Sequence, residues 1–148
     1  MDDAIGAISR DLIPISRLFT PNADEASLLL GGEKVNQENM EVSAKKLYNQ
    51  YGVPVLLKGG HLQKNGKLVD ILFDGNDSHL FPSDYISNVS THGTGCTYSA
   101  AITANLALGK DLKTAVIHSK MYLHNTILNS LSIGNSTTLN HFVSKDLL

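Results

Sequence analysis

Thr91-His92-Gly93-Thr94-Gly95-Cys96-Thr97-Tyr98-Ser99-Ala100-Ala101 decides how the rest of the chain is read. It begins with small, flexible and hydroxyl-bearing residues. It then passes into Ser99-Ala100-Ala101-Ile102-Thr103-Ala104-Asn105-Leu106-Ala107-Leu108, a helical run rich in alanine and leucine. Gly109 closes that run, where glycine accepts a left-handed conformation without a Cβ clash. A glycine loop therefore feeds directly into a helix N-terminus. The first N–H groups of such a helix have no partner inside it, and its dipole is positive there. Gly93 and Gly95 allow close backbone approach, so the stretch is suited to an anion, most simply a phosphate. Cys96 falls in the first turn, where the dipole favours its thiolate.

The composition narrows the partners. A length of 148 residues is enough for one domain with a real core, and residues 1–148 read as a single domain. With 42% apolar and 18% charged residues, the chain has an ordinary soluble globular composition. A formal charge of −2 gives no long-range attraction to nucleic acid or to an anionic membrane, so neither is expected as a partner. No apolar run approaches a membrane span. The lone cysteine excludes an internal disulfide and a cysteine-based zinc site, and it suits a reducing, cytoplasmic location. Met1-Asp2-Asp3 is acidic, unlike a signal peptide. The six histidines read as structural or surface residues; His118 and His124 lie six apart, not at i, i+4.

Periodicity predicts an amphipathic helix over 4–12, with Ile5, Ile8 and Leu12 on one side and Pro14 at its end. Arg17-Leu18-Phe19-Thr20 reads as a buried strand. Pro21-Asn22 turns the chain into a helix over 23–30 closed by Gly31-Gly32. Asn22 and Glu25 thus stand just beyond a strand's C-terminal end, where ligands bind in open α/β sheets. They also have the spacing of a capping box. A helix follows over 36–51, its buried stripe Val42, Ala44, Leu47, Tyr48 and Tyr51, stopped by Gly52. Val53-Pro54-Val55-Leu56-Leu57-Lys58 is a nearly continuous apolar strand, as in a sheet covered on both faces. Lys58, followed by Gly59-Gly60-His61, is poorly explained by packing. Lys64-Asn65-Gly66-Lys67 is a hairpin turn signal joining Leu62 to the strand 68–73. Another turn, over 74–77, leads to a strand over 78–81, and residues 82–90 read as a linker. A helix over 112–131 and a polar loop over 133–138 complete the order. The parallel strands with antiparallel ribbons at one end give a mixed sheet.

Gly93-Thr94-Gly95-Cys96 matches neither the phosphate loop G-x-x-x-x-G-K-[ST] nor the dinucleotide motif G-x-G-x-x-G. It resembles the anion-hole loop of ribokinase-like small-molecule kinases. In that superfamily the fourth position is commonly aspartate. Cysteine there is similar to the hydroxymethylpyrimidine and phosphomethylpyrimidine kinases of thiamine synthesis and to a related group of pyridoxal kinases. Tyr98 stands where leucine is more usual. Thr20-Pro21-Asn22-Ala23-Asp24-Glu25-Ala26, Val55-Leu56-Leu57-Lys58-Gly59-Gly60-His61 and Leu139-Asn140-His141-Phe142 resemble further segments of the same family, in the same order.

The resemblance implies a three-layer α/β fold with a mostly parallel sheet, of which this chain covers the C-terminal portion, incomplete at the N-terminus. It implies ATP and Mg2+ as cofactors and a pyrimidine alcohol as the small-molecule substrate, with a possible homodimer in full-length members. Thr94, Gly95 and Cys96 would hold the transferred phosphoryl group, with Gly93 giving close approach to the nucleotide. Lys58 would meet ATP phosphates. Asn22 and Glu25 would order the magnesium region, Glu25 through water. The substrate pocket would belong to the portion not covered. Two alternatives accompany this reading: a pyridoxal kinase of the same cysteine type, and a catalytically silent nucleotide-binding remnant.

Overall fold

A computed structural model describes residues 2–60, 62, 66–87, 89, 92–134 and 136–143. His61 and residues 64 and 65 of the 64–67 turn therefore lie outside the described residues. The chain forms two compact units, Met1–Tyr85 and Ile86–Leu148.

The first unit opens with helix α1 (Asp2–Ala7), which widens into a π-helical turn (Ile8–Leu12) and tightens into a 3-10 turn (Ile13–Ile15). This corrects the simple helix expected over 4–12. A π turn inserts a residue and shifts the apolar stripe. Ile8 and Leu12 consequently remain 46% and 56% exposed, and Ile13 is the buried residue at 2%.

The chain then runs beside strand β1 (Val55–Leu57) in parallel. Phe19 N–H donates to Pro54 O at 2.9 Å, Leu56 N–H to Phe19 O at 2.8 Å and Lys58 N–H to Pro21 O at 2.9 Å. The expected strand at 17–20 is reduced to isolated bridges, Phe19 with Val55 and Asn22 with Lys58. Pro21 lacks an N–H, so the pairing cannot run on as a full ladder.

Helices α2 (Ala23–Leu29) and α3 (Met40–Tyr51) make the crossover between the two parallel segments. α3 starts four residues later than periodicity predicts. Asn36 and Asn39 exchange side-chain bonds, Asn36 N–H to Asn39 Oδ1 at 2.8 Å and Asn39 N–H to Asn36 Oδ1 at 3.1 Å, and these hold a turn instead of helix. The buried stripe of α3 is Met40, Ser43, Ala44 and Leu47, and Val42 faces out, contrary to expectation. Met40, Ala44 and Leu47 meet Ala23, Ala26, Val55, Leu57, Ile71 and Phe73 in one core cluster.

β2 (Lys67–Phe73) and β3 (Ser78–Asp84) extend the sheet in the order β1-β2-β3. Both pairings are antiparallel, with Val55 opposite Phe73 and Phe73 opposite Ser78. Among the described residues, then, the sheet is not mostly parallel. Short connections permit only antiparallel return, and parallel pairing needs a crossover such as α2–α3. β3 also takes in Pro82, Ser83 and Asp84, read from sequence as linker. The β2–β3 turn is built on Asp74. Its Oδ1 accepts from Asn76 N–H at 2.9 Å and Asp77 N–H at 2.8 Å, and its Oδ2 meets His79 Nε2 at 2.9 Å.

The second unit contains α4 (Thr94–Ala107) packed on α5 (Leu112–Leu128), followed by a hairpin of β4 (Leu131–Ile133) and β5 (Ser136–Thr138). That hairpin replaces the expected polar loop at 133–138, and α5 ends three residues early. Gly134, at φ +59, supplies the left-handed turn residue. Tyr98, Ala101, Ile102 and Asn105 form the buried stripe of α4 at i, i+3, i+4, i+7. Buried Asn105 is fully engaged: its Nδ2 donates to Ala101 O at 2.9 Å and Ser119 Oγ at 3.2 Å, and its Oδ1 accepts from Lys110 Nζ at 2.7 Å.

The bonds to its carboxylate hold Asp74 at about 2, against an ordinary 3.8, the two backbone N–H groups contributing most and His79 adding to them. A carboxyl depressed in the folded state stabilises above the unfolded pKa and loses that contribution as pH falls through the folded value. Wild-type stability should therefore fall more steeply than that of Asp74→Asn between about pH 4 and pH 2. Denaturant titrations at stepped pH measure this; parallel curves would contradict it.

Candidate active site

The candidate site residues lie in two stretches, one in each unit. In the first, parallel pairing sets Asn22 directly against Lys58. Each follows its segment's C-terminal end, so both occupy the edge where α/β sheets bind ligands. Asn22 caps α2, and the capping box read from the sequence is formed. Glu25 N–H donates to Asn22 Oδ1 at 2.8 Å, and Asn22 N–H donates to Glu25 Oε2 at 2.7 Å. Glu25 is exposed and Asn22 half-buried. The structure thus unites Asn22, Glu25 and Lys58 around one helix start and one strand end.

The two glycines after Lys58 have separate explanations. A Cβ on Gly59 would lie 2.1 Å from Val69 O, so only glycine lets this corner pass over β2. Its N–H is also committed, donating to buried Asp70 Oδ1 at 2.9 Å. Gly59 is therefore a packing residue, contrary to the expectation that packing explains little here. Around Gly60 a Cβ would meet nothing. Asp70 itself was missed by sequence reasoning. The available signal was an acidic residue inside the apolar run Leu68-Val69-Asp70-Ile71-Leu72-Phe73.

In the second unit, Gly93 is the N-cap of α4 at φ +84, with no side-chain cap. Thr94, Gly95 and Cys96 form the first helical turn, so the helix begins five residues earlier than the alanine-rich run. Thr97 N–H closes the first bond to Gly93 O at 2.9 Å. Cys96 is a free, exposed thiol. The space around Gly93 would admit a Cβ, with Leu139 Cδ1 at 3.9 Å, so its backbone angle and not crowding calls for glycine. Leu139 is buried, and the segment after it lies along α5, where Tyr122 Oη donates to His141 O at 3.1 Å. Asp84 pairs with Lys67 on the neighbouring strand.

Magnesium binds through one or two carboxylates together with waters and phosphate oxygens. Glu25 belongs to no group of three or more His, Cys, Asp or Glu able to hold a metal among the described residues. A single exposed carboxylate, one oxygen of which is fixed by the helix start, fits the outer shell of such an ion and not an all-protein cage. No helix of the described residues is long and apolar enough to cross a membrane.

This α/β arrangement is that of ribokinase-like small-molecule kinases. The pyridoxal kinase of Staphylococcus aureus, solved in complex with AMP-PCP, matches with a TM-score of 0.88 at 31% identity, over 95% of this chain and 52% of that one. The family model for phosphomethylpyrimidine kinase matches residues 1–141, and the chain belongs to that family of phosphotransferases. A hydroxymethylpyrimidine/phosphomethylpyrimidine kinase of Aquifex aeolicus is 36% identical over 141 residues, 95% of this chain and 55% of its own length. A thiamine biosynthesis bifunctional protein of Geobacter sulfurreducens is 38% identical over 144 residues, 97% of this chain and 29% of its own length. The chain spans about half the length, or less, of the relatives it matches.

The two glycine corners should respond differently to alanine. Gly93→Ala is expected to lose about 1–2 kcal/mol through the left-handed backbone alone. Gly59→Ala forces a backbone clash and is expected to lose about 3 kcal/mol, the upper end for overpacking. Urea denaturation compares them, and a Gly59→Ala loss no greater than that of Gly93→Ala would contradict the assignment. Asn22→Ala removes the cap and is expected to cost about 1 kcal/mol in the same measurement; an unchanged midpoint would contradict the role of the capping box.

Proposed function

We propose that this chain carries the ATP- and phosphoryl-handling part of a hydroxymethylpyrimidine/phosphomethylpyrimidine kinase of thiamine biosynthesis. The observation that carries the reading is Gly93 at φ +84 opening a helix of 14 residues whose first turn is Thr94, Gly95 and Cys96. Such a helix start turns its first N–H groups and a positive dipole end toward an oxyanion.

When bound, magnesium ATP supplies the phosphoryl group and the cation that offsets its charge. Transfer of that group needs positioning and charge neutralisation more than covalent chemistry. The amides of Thr94, Gly95 and Cys96 hold the phosphoryl oxygens, and Gly93 lets them come close. Lys58 contributes a compact positive charge to the nucleotide phosphates. Asn22 and Glu25 order the water shell of the cation. Cys96 shapes the site sterically and electrostatically more than as a base, because a thiolate is a weak base for an alcohol; general-base assistance adds typically ~10²–10⁴-fold.

A second reading, the same chemistry on pyridoxal, is favoured by the match to the Staphylococcus aureus pyridoxal kinase at a TM-score of 0.88. Both readings expect the chain to bind magnesium ADP, and Lys58→Ala to weaken that binding about tenfold, the worth of one charge-assisted phosphate contact. Calorimetric titration measures both. Absence of nucleotide binding would overturn the two readings together. Because well-oriented reactants can be worth ~7–11 kcal/mol of barrier, the 148-residue chain is expected to turn over neither alcohol by itself. Turnover of hydroxymethylpyrimidine would contradict the division of labour, and turnover of pyridoxal alone would favour the second reading.

A further inference from the structure

We infer that Asp70 is a positioning residue for Lys58, acting through the Gly59 amide, an inference that rests on the phosphate role proposed for Lys58. Asp70 is 7% exposed in the middle of β2, and its Oδ1 accepts from Gly59 N–H at 2.9 Å. The β1–β2 ladder places Val55 opposite Phe73, Leu56 opposite Leu72 and Leu57 opposite Ile71. One further step of that register sets Lys58 opposite Asp70, and the next sets Gly59 opposite Val69. The close approach of Gly59 to Val69 O follows that course.

On its other side, the Lys58 backbone is fixed by its bond to Pro21 O and its bridge with Asn22. Residue 58 is thus clamped between two neighbours, one of which reaches it through a buried carboxylate. A buried carboxylate is costly unless hydrogen-bonded, and an apolar strand would fill the position more cheaply. The carboxylate reaches an amide that an ordinary ladder bond would leave unserved where the chain swings off β2. It therefore sets the direction in which Lys58 leaves the sheet. Without it the Gly59-Gly60 corner has backbone freedom, and the lysine loses a fixed base.

The test is a double-mutant cycle on the full 148-residue chain, read by calorimetric titration with magnesium ADP. Asp70→Ala should raise the Kd about fivefold, and this effect should vanish in the Lys58→Ala background, as for coupled neighbours. Asp70→Asn keeps an acceptor for the Gly59 amide and should restore most of the affinity. A merely structural Asp70 would instead give additive effects in the cycle, and no rescue by Asn beyond its rescue of thermal stability; either result overturns the inference. If Lys58→Ala leaves the Kd unchanged, the phosphate role of Lys58 fails and the inference falls with it. An effect of Asp70→Ala without coupling overturns the inference alone. Should Asp70→Ala not fold, Asp70→Ser, too short to reach Gly59, takes its place with the same expected coupling. Amide exchange at Gly59 gives a second reading, expected to be protected in the wild type and in Asp70→Asn. A rapidly exchanging Gly59 amide in the wild type would also overturn the inference.

Discussion

Three backbone bonds between the chain before α2 and the chain around β1 organise the first unit. They join Phe19 to Pro54, Leu56 to Phe19 and Lys58 to Pro21. Because they are parallel, the two segments end on the same side, and the residues that follow each end become neighbours. Asn22 and Lys58 meet only because this pairing holds its register. The α2–α3 crossover makes the pairing possible, and its apolar stripe covers the strands that would otherwise face water. A register slip of one residue would exchange the faces of the segment and separate the amide, the carboxylate and the lysine.

The capping box ties the start of α2 to the segment that pairs with β1. Asn22 and Glu25 satisfy amides that the start of α2 leaves open. The same bonds fix the Glu25 carboxylate to the backbone of Asn22, the residue bridged to Lys58. The second unit uses a barer device. Gly93 bends the chain into α4 without contributing a side chain, so the amides of the first turn have no side-chain cap. Its supports are set back from the loop, in the buried Asn105–Ser119–Lys110 bonds and in the seating of Leu139.

Legibility in the sequence followed the range of the forces involved. Short-range signals were readable: the capping pair Asn22 and Glu25, the Gly52 stop, the Asp74 turn, and the glycine loop that opens α4 all depend on residues a few positions apart. The family resemblance, which covers almost the whole chain, agrees with the match of the phosphomethylpyrimidine kinase family model over residues 1–141. What stayed hidden depended on partners distant in sequence. The place of Gly59 follows from Val69, and the task of Asp70 follows from Gly59. The widening at Ile8–Leu12 rotates a stripe that simple periodicity assigns to Ile8 and Leu12. The β4–β5 hairpin escapes a reading of the sequence because its strands are three residues each, too short for alternation to declare itself, although Gly134 marks its turn.

The proposed function assigns nucleotide phosphates to Lys58 in the first unit and, separately, to the first turn of α4 in the second. Backbone amide NMR on the isotopically labelled chain, titrated with magnesium ADP and then with magnesium alone, tests it most directly. The account predicts saturable shifts at Lys58 and at Thr94, Gly95 and Cys96 with the nucleotide, and much smaller ones with the metal alone. Shifts confined to other surfaces, with these four amides unmoved at saturation, would contradict it.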